Sequence, residues 1–285
     1  MTYHARINLI MFVTLAGLVV FLYFRPQSDA VREYPISTTA VEAVQSMRIL
    51  NRQQEIVLKQ SNNQWRMIEP IKVRANEEKI GEILEILTAS SYQRLVLENL
   101  DRFSLSRPYL QLYIDKAYFG FGGFSPTTNQ QYVAANGFVY LVSPRYGLAL
   151  SVTASDLINS ELLAPDEIPV RFEMDLWTVE LQNDKWRIIK HSADDGFDDN
   201  KVIRWVQLWQ TTQAGALKLQ DELDADFAEM GAIQITTQNG NIISFNILQN
   251  EYSLVLLRMP EGIGYQFSIE VGQQLIDPST ILLNQ

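Results

Sequence analysis

The densest run of oxygen ligands in the chain is Asp194-Asp195-Gly196-Phe197-Asp198-Asp199-Asn200. A calcium ion needs roughly six to eight oxygens around one point. This run lacks the alternating ligand spacing of a helix-loop-helix site and its closing Glu. It also stands directly before a predicted helix, where Asp and Asn cap free N–H groups and complement the helix dipole. It therefore reads as a solvated capping segment, and no metal ligand is assigned.

Phe119-Gly120-Phe121-Gly122-Gly123-Phe124 invites comparison with a phosphate loop. Such loops cradle phosphate at a helix N-terminus and often carry Lys-Ser/Thr. Here Ser125-Pro126-Thr127-Thr128-Asn129 follows, and then a strand. The segment reads as a strand end and hairpin loop, with Gly allowing close backbone approach. Phe121 and Phe124 are kept as an exposed tip for partner contact. Of the two histidines, His4 precedes the first apolar run and His191 stands alone beyond a strand. The chain has no cysteine, no histidine pair and no Gly-x-Ser-x-Gly elbow, so no catalytic or cofactor-binding residue is assigned. Carboxylates can be brought together by folding alone. A hydrolase using carboxylates in a groove between two units is therefore the alternative to a binding or scaffold role.

The elements that must position these residues repeat. Trp65-Arg66 and Trp186-Arg187 lie 121 residues apart, each after a polar turn, Asn62-Asn63 and Asn183-Asp184. Ile80, Ile83, Leu84 and Leu87 map onto Val202, Trp205, Val206 and Trp209, each set forming one helical stripe. Leu110 maps onto Ile233 and Tyr140 onto Tyr265. The trace is that of an ancient duplication, with units of about 110 residues, a comfortable single-core size. Trp205 and Trp209 are expected in the core because Ile83 and Leu87 stand opposite them.

Within unit one, residues 47–50, 56–59 and 65–68 read as strands, and Pro70 ends the last. Asn76 caps a helix with Glu77 and Glu78 in its first turn. A turn at 101–105 precedes strands at 109–114, 118–121, 131–134 and 138–142, with an Asn136-Gly137 hairpin. Residues 153–163 read as a closing helix. Unit two replays the order, with strands at 170–174, 177–181, 186–189, 232–236, 242–247, 253–259 and 264–269. Its helix is capped at Asp199 or Asn200 and runs through Gln213. Short connections imply mostly antiparallel sheets.

Ile7 to Phe24 is an apolar run of 18 residues broken only by Asn8, Thr14 and Gly17. As a helix it would rise roughly 27 Å, close to the bilayer hydrocarbon thickness. Arg6 precedes it, Arg25-Pro26 closes it, and Tyr23 and Phe24 suit a membrane interface. An uncleaved anchor is expected, with Ser28-Asp29-Ala30 as the competing signal-peptide cleavage site. Acidic residues outnumber basic ones 33 to 23, for a net charge of −10, and the basic residues are scattered. That balance disfavours nucleic-acid binding.

Several motifs in order resemble the family known as domain-of-unknown-function family 4340. They are Trp65-Arg66-Met67-Ile68-Glu69-Pro70, a helix from Asn76, Leu100-Asp101-Arg102-Phe103-Ser104-Leu105-Ser106-Arg107-Pro108, Tyr118-Phe119-Gly120-Phe121-Gly122, Gln131-Tyr132-Val133 and Val139-Tyr140-Leu141-Val142. The usual Tyr-Gly-Leu turn reads Phe103-Ser104-Leu105, and His191 stands where unit one has Pro70. The resemblance implies one N-terminal membrane helix and a partner among ABC-type transport components. It supplies no catalytic residues.

The expected protein is α+β: a cytoplasmic stub at 1–6, a transmembrane anchor at 7–24 and a linker at 25–42. Two duplicated units follow at 43–165 and 166–285, each a mostly antiparallel sheet with one main covering helix. The expected function is that of a single-pass, membrane-tethered binding or scaffold module, accessory to a membrane complex. The expected address is a bacterial inner membrane with the bulk of the chain periplasmic. Its partners would be the lipid bilayer, through 7–24, and a membrane protein.

Overall fold

The computed structural model describes residues 3–24, 32–51, 54–150, 153–190 and 199–280. The stretch 25–31, the acidic residues Asp194, Asp195 and Asp198, and His191 lie outside the described residues. The chain opens with helix α1 (Tyr3–Phe24). Its span Ile7–Phe24 is long and apolar enough to cross a membrane, and none of it is buried against the rest of the chain.

Among the described residues, one two-stranded and two large antiparallel sheets follow. Strand β1 (Tyr34–Pro35) pairs only with β6 (Ser90–Ser91). The first large sheet contains β2 (Ser46–Leu50), β3 (Glu55–Ser61), β4 (Gln64–Glu69), β5 (Val73–Arg74), β7 (Arg94–Val96), β8 (Leu110–Ile114), β9 (Ala117–Phe124), β10 (Gln131–Ala135) and β11 (Phe138–Val142). Helix α2 (Glu77–Leu84) lies between β5 and β6 in sequence, and the short α3 (Arg145–Ala149) follows β11. The second sheet contains β12 (Pro169–Met174), β13 (Trp177–Gln182), β14 (Lys185–Lys190), β15 (Ala216–Leu219), β16 (Ala228–Thr237), β17 (Ile242–Gln249), β18 (Ser253–Met259) and β19 (Ile263–Ser268). Helix α4 (Asp199–Thr211) connects β14 to β15, and α5 (Ile269–Ile276) follows β19.

The spatial orders are β5-β4-β3-β2-β8-β9-β10-β11-β7 and β14-β13-β12-β16-β17-β18-β19-β15. Trp65 is the second residue of β4 and Trp186 the second of β14. Cross-strand partners run in parallel too. Gln60 faces Trp65 and Leu181 faces Trp186, while Leu110 faces Phe121 and Ile233 faces Phe245. The turns behind these hairpins hold Asn62, Asn63, Asn183 and Asp184 at positive φ, which Asn and Asp tolerate best among side-chain-bearing residues.

Helices α2 and α4 each bury one stripe on their sheet. Asn76 accepts a hydrogen bond from Lys79 N at 3.1 Å and caps α2, whose Ile80, Ile83 and Leu84 are buried. Helix α4 starts at Asp199 and buries Val202, Trp205, Val206 and Trp209. Trp205 meets Phe172 edge-on at 4.8 Å between ring centroids, and Trp209 lies 5.7 Å from Phe245. Their indole N–H groups donate to Gln274 O and Leu275 O, both at 3.0 Å. The two tryptophans thereby satisfy carbonyls that the last turn of α5 would otherwise leave free. Helix α5 seats closely because Gly272 faces Leu254, where an added Cβ would fall 2.6 Å from the Leu254 Cβ.

Several elements differ from the sequence reading. Residues 153–163 do not form a helix: only Ser155–Leu157 makes a single 3-10 turn. Asp156 Oδ2 accepts from Thr153 N and Oγ1, both at 2.7 Å, which closes the turn locally. Beyond it the backbone bonds elsewhere, with Asn159 N donating to Arg74 O at 3.1 Å and Ala214 N donating to Ser160 O at 2.9 Å. Long-range partners thus take the groups a helix would need. This strap bridges Ala75 in the first half and Gln213 in the second, tying the halves together. Strand β15 and helices α3 and α5 occupy positions read as irregular or, at Ile269, as strand. Helix α4 ends at Thr211, short of Gln213.

Strand β9 runs on through the segment read as a loop, to Phe124. Gly122 lies under the 3-10 turn Leu100–Phe103, where a Cβ would fall 2.2 Å from Phe103 O. The close approach expected of glycine here is real, but it occurs inside a strand.

Candidate functional site

A groove between the two halves gathers charged side chains around a cavity. The cavity measures about 240 Å³ and is walled by β4, β5, the strap, β18 and β19. Arg258 projects into it from the otherwise apolar run of β18 and is nine-tenths buried. Its Nη1 donates to Leu162 O at 2.9 Å and to Glu167 Oε2 at 3.1 Å, and its Nη2 donates to Glu167 Oε1 at 2.5 Å. Its Nε lies 3.4 Å from Glu261 Oε1. From the other wall, Arg74 donates to Glu161 O at 2.7 Å and Leu163 O at 3.3 Å. One arginine from each half thus clasps the strap.

Burial would raise the Glu167 carboxyl. The hydrogen bonds from Arg258 and Ala164 N–H, with the charges of Arg258 and Arg74, outweigh it and hold Glu167 below the ordinary carboxylate value. Burial likewise pushes the Tyr265 phenol up, opposed by Arg74 and Arg258, so its hydroxyl keeps its proton at neutral pH. The Glu167 carboxylate is therefore an ionised acceptor, held in bidentate geometry by the Arg258 guanidinium.

These residues escaped the sequence reading, in which Tyr265 figured only as a repeat position. One signal was present: Arg258 breaks the apolar run Leu254-Val255-Leu256-Leu257 before Met259, and a buried Arg requires partners.

The sequence-assigned contact pair separates. Phe121 is fully buried and is no surface contact, whereas Phe124 is 55% exposed. Three residues apart on one strand, they must face opposite sides of the sheet. Phe124→Ser should therefore change stability by no more than about 0.5 kcal/mol, while Phe121→Ser should cost about 3 kcal/mol or more, as read by denaturant melts. Comparable losses for both would contradict this assignment. Among the described residues, no group of three or more His, Asp or Glu side chains is placed to hold a metal ion.

The family model described as "Domain of unknown function (DUF4340)" matches residues 65–220, more than half of the chain. The chain belongs to this family. The match opens at Trp65 on β4, crosses the arginine-clasped strap and closes just after β15, so this DUF4340 protein carries the family pattern across both halves. No curated protein and no solved structure matches the chain.

Proposed function

We propose that this DUF4340 protein is a single-pass, membrane-tethered binding or scaffold module. Its body would work on the extracytoplasmic side of a bacterial inner membrane, as an accessory subunit of a membrane complex. The observation that carries the reading is helix Ile7–Phe24, which is predominantly apolar and, among the described residues, is not buried against the rest of the chain. Tethering confines the body to a thin layer above the bilayer and raises its effective concentration toward membrane partners, so modest contacts suffice. An ABC-type transport component is the partner implied by the family resemblance.

We read the two halves as duplicated units. The support is the shared strand order, the matching cross-strand partners and the equivalent places of Trp65 and Trp186. Such a body offers two related surfaces joined by a clasped groove. Holding, and not turnover, is the role favoured by its ion pairs, since Arg258 keeps Glu167 ionised and occupied.

Purification in a mild detergent, with identification of co-purifying proteins, tests the role. A membrane transport protein should accompany the chain in fixed stoichiometry, and Phe124→Ser should reduce its yield. A chain that elutes alone from several mild detergents would sink the scaffold reading.

A further inference from the structure

One end of the first sheet presents apolar side chains on a turn, and the chain enters the body at the same end. Strand β7 is an edge strand of that sheet, paired with β11. Just beyond it Glu98 N donates to Val96 O at 2.9 Å, closing a three-residue turn with Leu97 at its tip. Val96 is 64% exposed and Leu97 42%. The hairpin turns at Asn62-Asn63, Asn136-Gly137 and Asn183-Asp184 put polar residues or glycine in that place. Apolar surface at such a tip gains by leaving water.

The entry of the chain decides what meets this turn. Nine residues, 25–33, separate Phe24 at the end of α1 from Tyr34 at the start of β1. They span roughly 30 Å at most. Glu33 is pinned to the body, since its Oε2 accepts from Ser90 Oγ at 3.1 Å and its carboxylate also accepts from the Tyr92 hydroxyl. Ile36 O accepts at 2.8 Å from Nδ2 of Asn136, on the turn between β10 and β11. Phe138, two residues further on, faces Val96. Arg94 links the two sides: its guanidinium carbon lies 4.6 Å from the Tyr34 ring centre and 4.4 Å from that of Phe138. The segment that leaves α1 thus arrives beside the Val96–Leu97 turn. Phe124 lies at the other end of these strands, facing Gln131, which faces Val142.

We infer that the Val96–Leu97 turn rests in the interfacial layer of the same bilayer that holds α1, with Tyr34 and Tyr92 at headgroup level, where tyrosine is favoured. The charges beside it balance, Arg32 and Arg94 against Glu33 and Glu98. The contact is therefore apolar and needs no anionic lipid. It rests on the reading of Ile7–Phe24 as an anchor and adds an orientation: the body stands on the β7 end and holds Phe124 away from the membrane.

The chain has no cysteine, so one introduced thiol can carry an environment-sensitive fluorophore. The full chain is labelled at Val96→Cys, Leu97→Cys or Phe124→Cys and reconstituted in phosphatidylcholine vesicles. A lipid with a nitroxide near its headgroup should remove most of the emission at the first two positions and little at the third. Iodide in the buffer should do the reverse. With the label moved to Glu98→Cys, adding Val96→Asp and Leu97→Asp should abolish lipid quenching while the chain still floats with the vesicles. If that variant fails to fold, Val96→Asp alone decides. Replacing part of the phosphatidylcholine by phosphatidylserine should change nothing. A floating chain whose turn is quenched no more than Phe124, or whose acidic variants keep their quenching, would overturn the contact and leave the anchor standing. A chain that does not float would remove both. Protection from iodide without lipid quenching would mean that a second copy covers the turn, and quenching only with phosphatidylserine would make the contact electrostatic; either result overturns the inference.

Discussion

Trp205→Ala should lower the stability of the body by about 3–5 kcal/mol, the range for deleting a fully buried large aromatic. Trp205 is 0% exposed, packs edge-on against Phe172 and Trp209, and donates its indole N–H to Gln274 O. The substitution therefore opens a cavity and orphans a helix-terminal carbonyl together. Trp205→Phe should recover much of the packing but leave that carbonyl unpaired, placing it between alanine and the parent. Guanidinium melts followed by tryptophan fluorescence and by circular dichroism read both variants. A loss below about 1 kcal/mol for alanine would show that α4 does not seat on the second sheet as described.

Arg258→Met should cost about 3 kcal/mol, near the lower end for breaking a buried ion pair, because Glu167 keeps a fifth of its side-chain surface exposed. The loss has two parts: Glu167 keeps a poorly solvated charge, and Leu162 O loses its donor. Adding Glu167→Leu to Arg258→Met removes the stranded charge and should restore part of the stability. The pH dependence follows from the sign of the Glu167 shift. Its pKa is depressed in the folded state, so the folded protein binds fewer protons than the unfolded chain as pH falls. Its contribution is complete above the ordinary carboxylate value of about 4.3 and is lost as pH falls from there through the folded value. Arg258→Met should flatten that acid limb, as should the double variant. An unchanged acid limb in both would mean that Glu167 does not draw its stabilisation from Arg258.

Much of the fold was legible because local rules and tertiary packing agree there. The hairpins ending at Trp65 and Trp186 combine alternating strands with Asn-rich turns whose left-handed geometry is observed. The stripes Ile80–Ile83–Leu84 and Val202–Trp205–Val206–Trp209 bury the faces their spacing predicts. The reading failed where distant partners decide. Residues 153–163 carry a helical apolar pattern, yet Arg74 and Ala214 claim their backbone groups from both sides. Strand β15 exists because β19 offers it an edge, which no local pattern announces. Phe121 and Phe124 were grouped by proximity, although their odd spacing on a strand already sets them on opposite faces. The groove escaped because Arg74, Glu161, Glu167 and Arg258 meet only after the halves are joined.

The claim on which the account rests is that helix Ile7–Phe24 holds the body at a membrane. Alkaline carbonate washing of membranes carrying the full chain, with N-terminal sequencing of the retained protein, tests it directly. The intact chain should stay in the membrane pellet, and a chain starting at Arg32 should be soluble and keep the same β-rich spectrum. Release of the intact chain by the wash, or a mature N-terminus downstream of Phe24, would contradict it.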